Sequence, residues 1–455
     1  MLTRIEISGF KTFAGFELDF CPFLVVIGPD AAGKSNQFDA IQLLARLGGT
    51  DLNDAVRGLR GGPRELFRRT GERGTATRID LAAEVLLPPS VSDPWNGQVV
   101  LSHTRLRYEV AIERRADDRG RERLYVVHEQ ALPIWHRDDG WRPGGQAPSA
   151  AFQRTNMLYR RRPPFLETVS EGDATRFAIH HDGQSGRTRS ARAAEATVLS
   201  SITSTEFPHL YALRKEMRSW SLLQLEPAAM RQPSPASAPD VLEPSGANLA
   251  AVLGRIQTET ATEVHEAGLL GDIEADLGLV VGRPVKVLVE EDEYRHEHRL
   301  YVGLGGEAPH SSMVASDGLL RALALLTALH DPRHGAVICI EEPENGLQPA
   351  WLRRVLDRLR AASTDPQAEG DDPDRTLAQV LMNCQSPIAL PELDDGEMVF
   401  AEMTPAITDA AAGGSGSRRT VMRPVAATDQ GTLELGDEAR PLTRFEVERL
   451  LSSVT

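Results

Sequence analysis

The sequence predicts an α/β fold. A parallel sheet with flanking helices carries an antiparallel β meander in its N-terminal lobe and an inserted, mainly helical subdomain. Three observations predict it. First, the apolar run Phe23-Leu24-Val25-Val26-Ile27 passes through a glycine-bounded loop into helical spacing from Lys34 to Leu47; such runs are typical of buried central strands. Second, the last third alternates helix (Leu319–Leu329), strand (Ala336–Ile340), helix (Pro349–Arg360) and strand (Ala378–Met382), the order of a parallel sheet. Third, short alternating segments between Arg78 and about Val127 are separated by turn-rich pieces such as Pro88-Pro89-Ser90, as in a meander.

Taken in order, Ile5 and Ile7 alternate with polar neighbours, and Phe16 to Phe20 alternates again; both read as half-buried strands. Residues 136–150 are rich in Gly, Pro and Asp and read as a loop. Pro208 suits the first turn of a helix, and Leu210, Leu213, Met217 and Trp220 follow at helical spacing. Residues 232–246 are a Pro/Ser/Ala-rich linker, Asn248–Ile256 and Ala261–Leu277 are further helices, and Val285–Val289 forms a hairpin with Leu300–Val302. Asp365–Asp374, acidic and almost without apolar residues, is a mobile insertion, and Ala411–Ser417 a flexible stretch. The expected division is 1–205, an N-terminal lobe; 206–300, the inserted helical subdomain; and 301–455, a C-terminal lobe.

The 455 residues are 41% hydrophobic and 25% charged, enough apolar content for a packed core. No run of eighteen apolar residues occurs and MLTRIEISGF lacks an apolar core, so neither a membrane span nor a secretory signal is expected. Cys21, Cys339 and Cys384 are far apart and in no metal spacing. They predict reduced thiols and a cytoplasmic location. A net charge of -15 argues against a general nucleic-acid coat protein, though not against a local basic groove. Only four lysines occur, Lys11, Lys34, Lys215 and Lys286, among 50 Lys and Arg residues.

One of those lysines stands in the strongest motif, Gly28-Pro29-Asp30-Ala31-Ala32-Gly33-Lys34-Ser35, between a predicted strand and a helix. It fits the P-loop pattern. The glycines let backbone N–H groups curl around phosphate oxygens, and the helix N-terminus adds a positive dipole end. Lys34 would reach the β- and γ-phosphates and the Ser35 hydroxyl would ligate Mg2+, so ATP and Mg2+ are the expected cofactors. The plain alternative is a turn before a helix. A second motif, Val337-Ile338-Cys339-Ile340-Glu341-Glu342, is an apolar strand ending in two carboxylates. Glu341 would hold Mg2+, and Glu342 would deprotonate an attacking water. The alternative is a solvated acidic turn. The third, Ser316-Asp317-Gly318, opens a helix; alone it reads equally as an ordinary N-cap.

These residues, with Glu344-Asn345-Gly346-Leu347-Gln348-Pro349 and Asn383-Cys384-Gln385-Ser386-Pro387 after them, resemble the ABC-type ATPase heads of the RecF, SMC and OLD group. The resemblance is closest to compact stand-alone relatives described as AAA-family ATPases. Ile5-x-Ile7-x-Gly9-Phe10-Lys11-x-Phe13, Asn36 after Ser35, Leu225 to Arg231 and Asn248-Leu249-Ala250 resemble the group too. The likeness extends over most of residues 1–402, though only the short motifs are specific. It implies a P-loop NTPase fold, nucleotide contacts from Lys11 and Asn36, and a homodimer in which Ser316, Asp317 and Gly318 cap the ATP of the other protomer. Glu344–Pro349 would be the D-loop and 383–387 the switch loop. Gln385 would act beside Lys34 and Glu342 in turnover.

The sequence departs from the group at four places. Asp30 stands for a usual Asn, Glu341 for a usual Asp, and Gln385 and Gln348 for usual His residues. Gln385 can hydrogen-bond a phosphate but cannot titrate near neutral pH, which predicts slow hydrolysis. About seventy residues follow Gln385, too few for a Toprim nuclease domain, and no long heptad arm is present. Arg57, Arg60, Arg64, Arg68, Arg69 and Arg73, and Arg160-Arg161-Arg162, read either as a DNA-facing surface or as solvated faces in an arginine-rich chain, with the latter favoured. His180-His181 and His296-x-His298 read as surface residues. The expected function is an ATPase in a DNA-linked process, repair or antiphage defence, acting with a separately encoded nuclease or toxin effector. The competing classes are a nucleotide-gated binding module with negligible turnover and a transporter ATPase.

Overall fold

The structure is a computed structural model. It describes the chain except residues 71–73, 94, 96, 118, 162, 173, 182–183, 370–376, 407–416, 427–439 and 453–455. The chain forms two compact units. One comprises Met1–Trp220, Asp365–Gln379 and Asp395–Thr455, the other Ser221–Thr364 and Val380–Asp394.

The first unit is built on an eight-stranded antiparallel sheet. Its strands run in the order Gln184–Ser190, Ala174–His181, Leu166–Glu171, Glu122–Pro133, Arg105–Ala116, Arg78–Leu86, Leu2–Ser8 and Phe16–Asp19. The alternation read at Ile5 and Ile7 puts them opposite Ala83 and Leu81, and Leu81 lies opposite Val110 on its other side. All five of these residues are buried. The expected meander is present and longer than expected: it continues through Leu166–Ser190, where the strands are rich in Thr, Arg, Ser and His rather than in apolar residues. The glycine-rich loop 136–150 is tied down by Asp139, which receives a two-pronged hydrogen bond from buried Arg105 (2.6 and 2.9 Å) and a third from the Tyr159 hydroxyl (2.7 Å).

The apolar run Phe23–Ile27 is a strand buried at every position. It pairs in parallel with Met398–Pro405, which pairs antiparallel with Arg418–Pro424. Helix Lys34–Leu47 packs on helices Leu52–Val56 and Pro208–Arg218. Of the expected mobile insertion, residues 365–369 are held to the same unit: the Pro366 and Ala368 carbonyls accept from the amide and hydroxyl of Ser149, both at 2.8 Å. Its remainder, and Ala411–Gly416 of the other flexible stretch, lie outside the described residues.

In the second unit, Ser221–Leu223 pairs in parallel with Val337–Glu341, and Gln379–Cys384 is the next strand. Helix Leu269–Val281 packs on helices Asp317–His330 and Pro349–Ala362, and helix Leu249–Thr260 packs on the hairpin Val285–Asp292/Glu297–Leu304. The helix expected from Ala261 begins instead at Leu269. Residues 261–266 are exposed and offer no apolar face to bury. The preceding helix ends with Ala261 in extended conformation, and the Thr260 hydroxyl accepts from the Leu269 amide at 2.8 Å. No helix among the described residues is long and apolar enough to cross a membrane.

Candidate functional site

The motif residues fall into two groups, one in each unit. In the first unit, strand Phe23–Ile27 delivers the chain into the loop Gly28–Gly33 and then helix Lys34–Leu47. Two glycines are required for different reasons. A Cβ on Gly28 would meet the Ala401 carbonyl oxygen at 2.4 Å. Gly33 has φ +92°, and a Cβ there would meet the Thr420 hydroxyl at 2.0 Å. Ala31 also takes a left-handed conformation, φ +61°. Lys34 is buried, and its ammonium donates to the carbonyls of Gly28 (2.6 Å) and Pro29 (2.8 Å). The amine therefore lies folded over the loop that precedes it. Asp30 and Ala31 are exposed at the loop's crest.

Around this loop the predicted residues Lys11 and Asn36 meet three side chains that sequence reasoning did not single out, Thr12, Asp39 and Thr420. Asn36 donates to the Thr12 hydroxyl (3.0 Å), the Thr12 and Thr420 hydroxyls meet at 2.7 Å, and Thr420 donates to the Ala32 carbonyl (3.1 Å). Lys11 pairs with buried Asp39, which also accepts from Arg60 at 3.0 and 3.2 Å. Arg60 further donates to the Ser35 carbonyl at 2.6 Å. The arginine cluster after the first helix is largely engaged in this way: Arg57 pairs with Asp54, Arg64 with Glu122, and Arg68 donates to the Ser417 hydroxyl. Arg161 is buried, stacked on Phe165 and bonded to the Pro163 and Pro164 carbonyls. Arg73 and Arg162 lie outside the described residues.

In the second unit, strand Val337–Glu341 ends in the two acids. Glu341 receives the Gln224 side-chain amide. Glu342 adopts φ +49° and donates its backbone N–H to the Asn383 carbonyl at 2.9 Å. Its carboxylate accepts from the amides of Gln385 and, at 2.6 Å, Asn345. Buried Glu344 accepts the backbone N–H groups of Gln385 (2.7 Å) and Ser386 (3.2 Å), which fixes the turn that carries Gln385. Glu341, Glu342 and Gln385 are thus brought together. Gln224 and Asn345 are additions. Gln224 follows a strand of only three residues, too short to show periodicity.

Ser316 caps helix Asp317–His330 through its hydroxyl, which accepts from the Leu319 amide at 3.3 Å, so its ordinary capping role is real. Gly318 packs against the turn after the acids: a Cβ there would lie 2.5 Å from the Gly346 carbonyl oxygen. Asp317 and the Ala315 carbonyl (2.9 Å) both accept from Arg231. Arg321, one turn along, is held below its ordinary value by burial, and Asp317, Glu342 and Glu344 work against that shift. Its charge therefore sits among three carboxylates. The Cys339 thiol under Glu341 is pushed up by burial.

In both groups a strand passes into a tight turn where polar groups collect. The model of one family, described as "AAA domain, putative AbiEii toxin, Type IV TA system", matches residues 160–390. No curated protein gives a significant match. Among 151 matching chains of solved structure is an SMC head bound to the C-terminal winged-helix domain of ScpA (13% identity, 93% of this chain and 97% of that one, TM-score 0.46). Another is an SMC head with an extended coiled coil bound to the C-terminal domain of ScpA, derived from Pyrococcus furiosus (11%, 93% and 96%, 0.41). A third is the SMC head domain from Thermotoga maritima (11%, 93% and 99%, 0.38). The family match spans half of the chain, and the protein accordingly belongs to this AAA domain family.

Proposed function

We propose that the chain binds ATP with Mg2+, closes as a homodimer around two nucleotides and hydrolyses ATP slowly. Closure drives a DNA-linked process, repair or antiphage defence, through a separately encoded nuclease or toxin effector. The protein works in the cytoplasm, in keeping with three buried cysteines that form no disulfide. The observation that carries the reading is the convergence on Glu342, a carboxylate held by two side-chain amides at the end of a buried strand.

In this reading the backbone from Gly28 to Ser35 and the Lys34 ammonium bind the β- and γ-phosphates, with Lys11 and Asn36 beside them. The Ser35 hydroxyl and the Glu341 carboxylate are hard oxygen donors, the kind Mg2+ takes alongside nucleotide phosphates. Among the described residues no group of three or more His, Cys, Asp or Glu could hold a metal ion by itself. When bound, Mg2+ would neutralise charge on the phosphates. Glu342 takes a proton from the attacking water as its oxygen bonds the γ-phosphorus and the bond to the β-phosphate oxygen breaks. Gln385 and Asn345 keep the Glu342 carboxylate in position. Ser316, Asp317 and Gly318 face the partner's nucleotide.

A second reading, a nucleotide-gated module with negligible turnover, is favoured by the residue at 385, a glutamine that can hydrogen-bond a phosphate but cannot titrate near neutral pH. Titration with labelled ATP and light scattering decide between them. Lys34→Ala abolishes ATP binding, and Glu342→Gln keeps it and accumulates an ATP-dependent dimer. Equal ATP affinity in Lys34→Ala refutes the P-loop assignment. A folded Glu342→Gln chain that stays monomeric at saturating ATP refutes the closed dimer. Wild-type turnover no faster than that of Glu342→Gln selects the second reading.

A further inference from the structure

We infer that Thr420 is a positioning residue for the phosphate-binding loop, and that the strand Arg418–Pro424 holds the Ala32–Gly33 peptide in the orientation nucleotide binding needs. The inference rests on the nucleotide reading above and names a part of the loop that its motif does not contain. Thr420 is buried and lies 388 residues from its acceptor, the Ala32 carbonyl, at 3.1 Å. A hydroxyl carries one proton. The Met403 sulfur, at 3.4 Å, is the weaker acceptor, so that proton goes to the Ala32 oxygen. The Thr12 hydroxyl, 2.7 Å away, must then donate to Thr420, and its own oxygen accepts from Asn36 at 3.0 Å. The result is a directed chain, Asn36 to Thr12 to Thr420 to Ala32, that starts and ends on the loop–helix junction. The backbone supports it, since the Thr420 N–H donates to the Thr12 carbonyl at 3.1 Å.

The consequence follows from peptide geometry. In a planar trans peptide the C=O and the N–H point in opposite directions. Pinning the Ala32 oxygen toward Thr420 aims the Gly33 N–H away from it, on the side where a P-loop receives phosphate oxygens. The same contact explains the second glycine of the motif. Gly33 has φ +92°, and a Cβ there would lie 2.0 Å from the Thr420 hydroxyl and 3.0 Å from that of Thr12. The position is closed to any side chain as long as Thr420 holds the loop.

The test uses the full chain with Thr420→Val, which keeps the shape and removes the donor, Thr420→Ser, which restores it, and Thr12→Ala, which breaks the previous link. Amide exchange is read without nucleotide over Ala32–Ser35, and labelled-ATP affinity with Mg2+ on the same samples. Thr420→Val speeds exchange in this window and weakens ATP binding about tenfold. Thr420→Ser returns both toward wild type, and Thr12→Ala shifts both in the direction of Thr420→Val. Unchanged exchange and affinity in Thr420→Val, or no rescue by Thr420→Ser, overturns the inference. A wild-type chain that fails to bind ATP overturns the nucleotide reading instead, and the nucleotide-free exchange then decides by itself whether Thr420 holds the loop. Exchange that rises evenly over the whole chain marks general destabilisation and counts against a positioning role.

Discussion

Replacing Gly318 by alanine tests which constraint fixes that glycine. Intrinsic preference favours the change, since alanine in a helix is about 1 kcal/mol better than glycine, less so near an end. Packing opposes it. The new Cβ would lie 2.5 Å from the Gly346 carbonyl oxygen and 3.5 Å from its carbon. The first contact is too close by roughly 0.7 Å or more, and the atom it meets is backbone, which cannot swing aside as a side-chain tip would. Overpacking of this kind costs about 1–3 kcal/mol, so after the helix preference is subtracted the net loss is up to about 2 kcal/mol. That corresponds to up to roughly 8 °C in unfolding midpoint for a unit of this size. The displaced turn, Glu344–Leu347, carries Asn345, one of the two amides on Glu342. Turnover therefore falls along with stability. Thermal unfolding and steady-state ATP hydrolysis on the same preparation check this. A Gly318→Ala chain at least as stable as wild type would show that helix preference wins and that Gly346 yields freely.

Two further predictions concern titration. His334 is buried, is pushed down to about 4 by burial, and its Nε2 meets the Ser221 hydroxyl at 2.7 Å. The folded protein keeps it neutral while the unfolded chain takes up a proton near pH 6.5, so its contribution is full above pH 6.5 and is lost as pH falls toward 4, by up to about 3 kcal/mol. His334→Gln narrows the difference in unfolding midpoint between pH 7.5 and pH 5; an unchanged difference refutes the assignment. His209, also pushed to about 4, and Glu129, pushed up to about 7 with opposite sign, are common to both proteins and cancel in the comparison. Gln385→His places a titratable ring against Glu342, and its turnover gains a pH dependence near 6.5 that wild type lacks. PH–rate profiles of the same shape in both proteins would remove Gln385 from the reacting centre.

How much of this was legible in the sequence depends on whether the physics is local. A phosphate loop presents backbone N–H groups, so its glycines, lysine and serine must be contiguous, and Gly28–Ser35 can be found by inspection. The strand that ends in Glu341 and Glu342 is also contiguous, because a buried strand must be apolar up to the residue that leaves it. Strands Leu166–Glu171 and Gln184–Ser190 were not legible, since they lack the apolar alternation that announces a strand, and in Ala174–His181 it is confined to Phe177 and Ile179, too short a run to announce one. The helix expected from Ala261 failed for the converse reason: nothing in 261–266 had a face to bury. The supports of the site are harder still. Gln224, Asn345, Thr12 and Thr420 act through side-chain hydrogen bonds whose partners are assembled only by the fold. Their residue types are common, and each could sit on any surface without leaving a trace in spacing. Gly33 lies between the two cases. The motif requires a glycine there, but the reason is the Thr420 hydroxyl 2.0 Å from where a Cβ would be. The short motif therefore records, in one local residue, a contact with the far end of the chain.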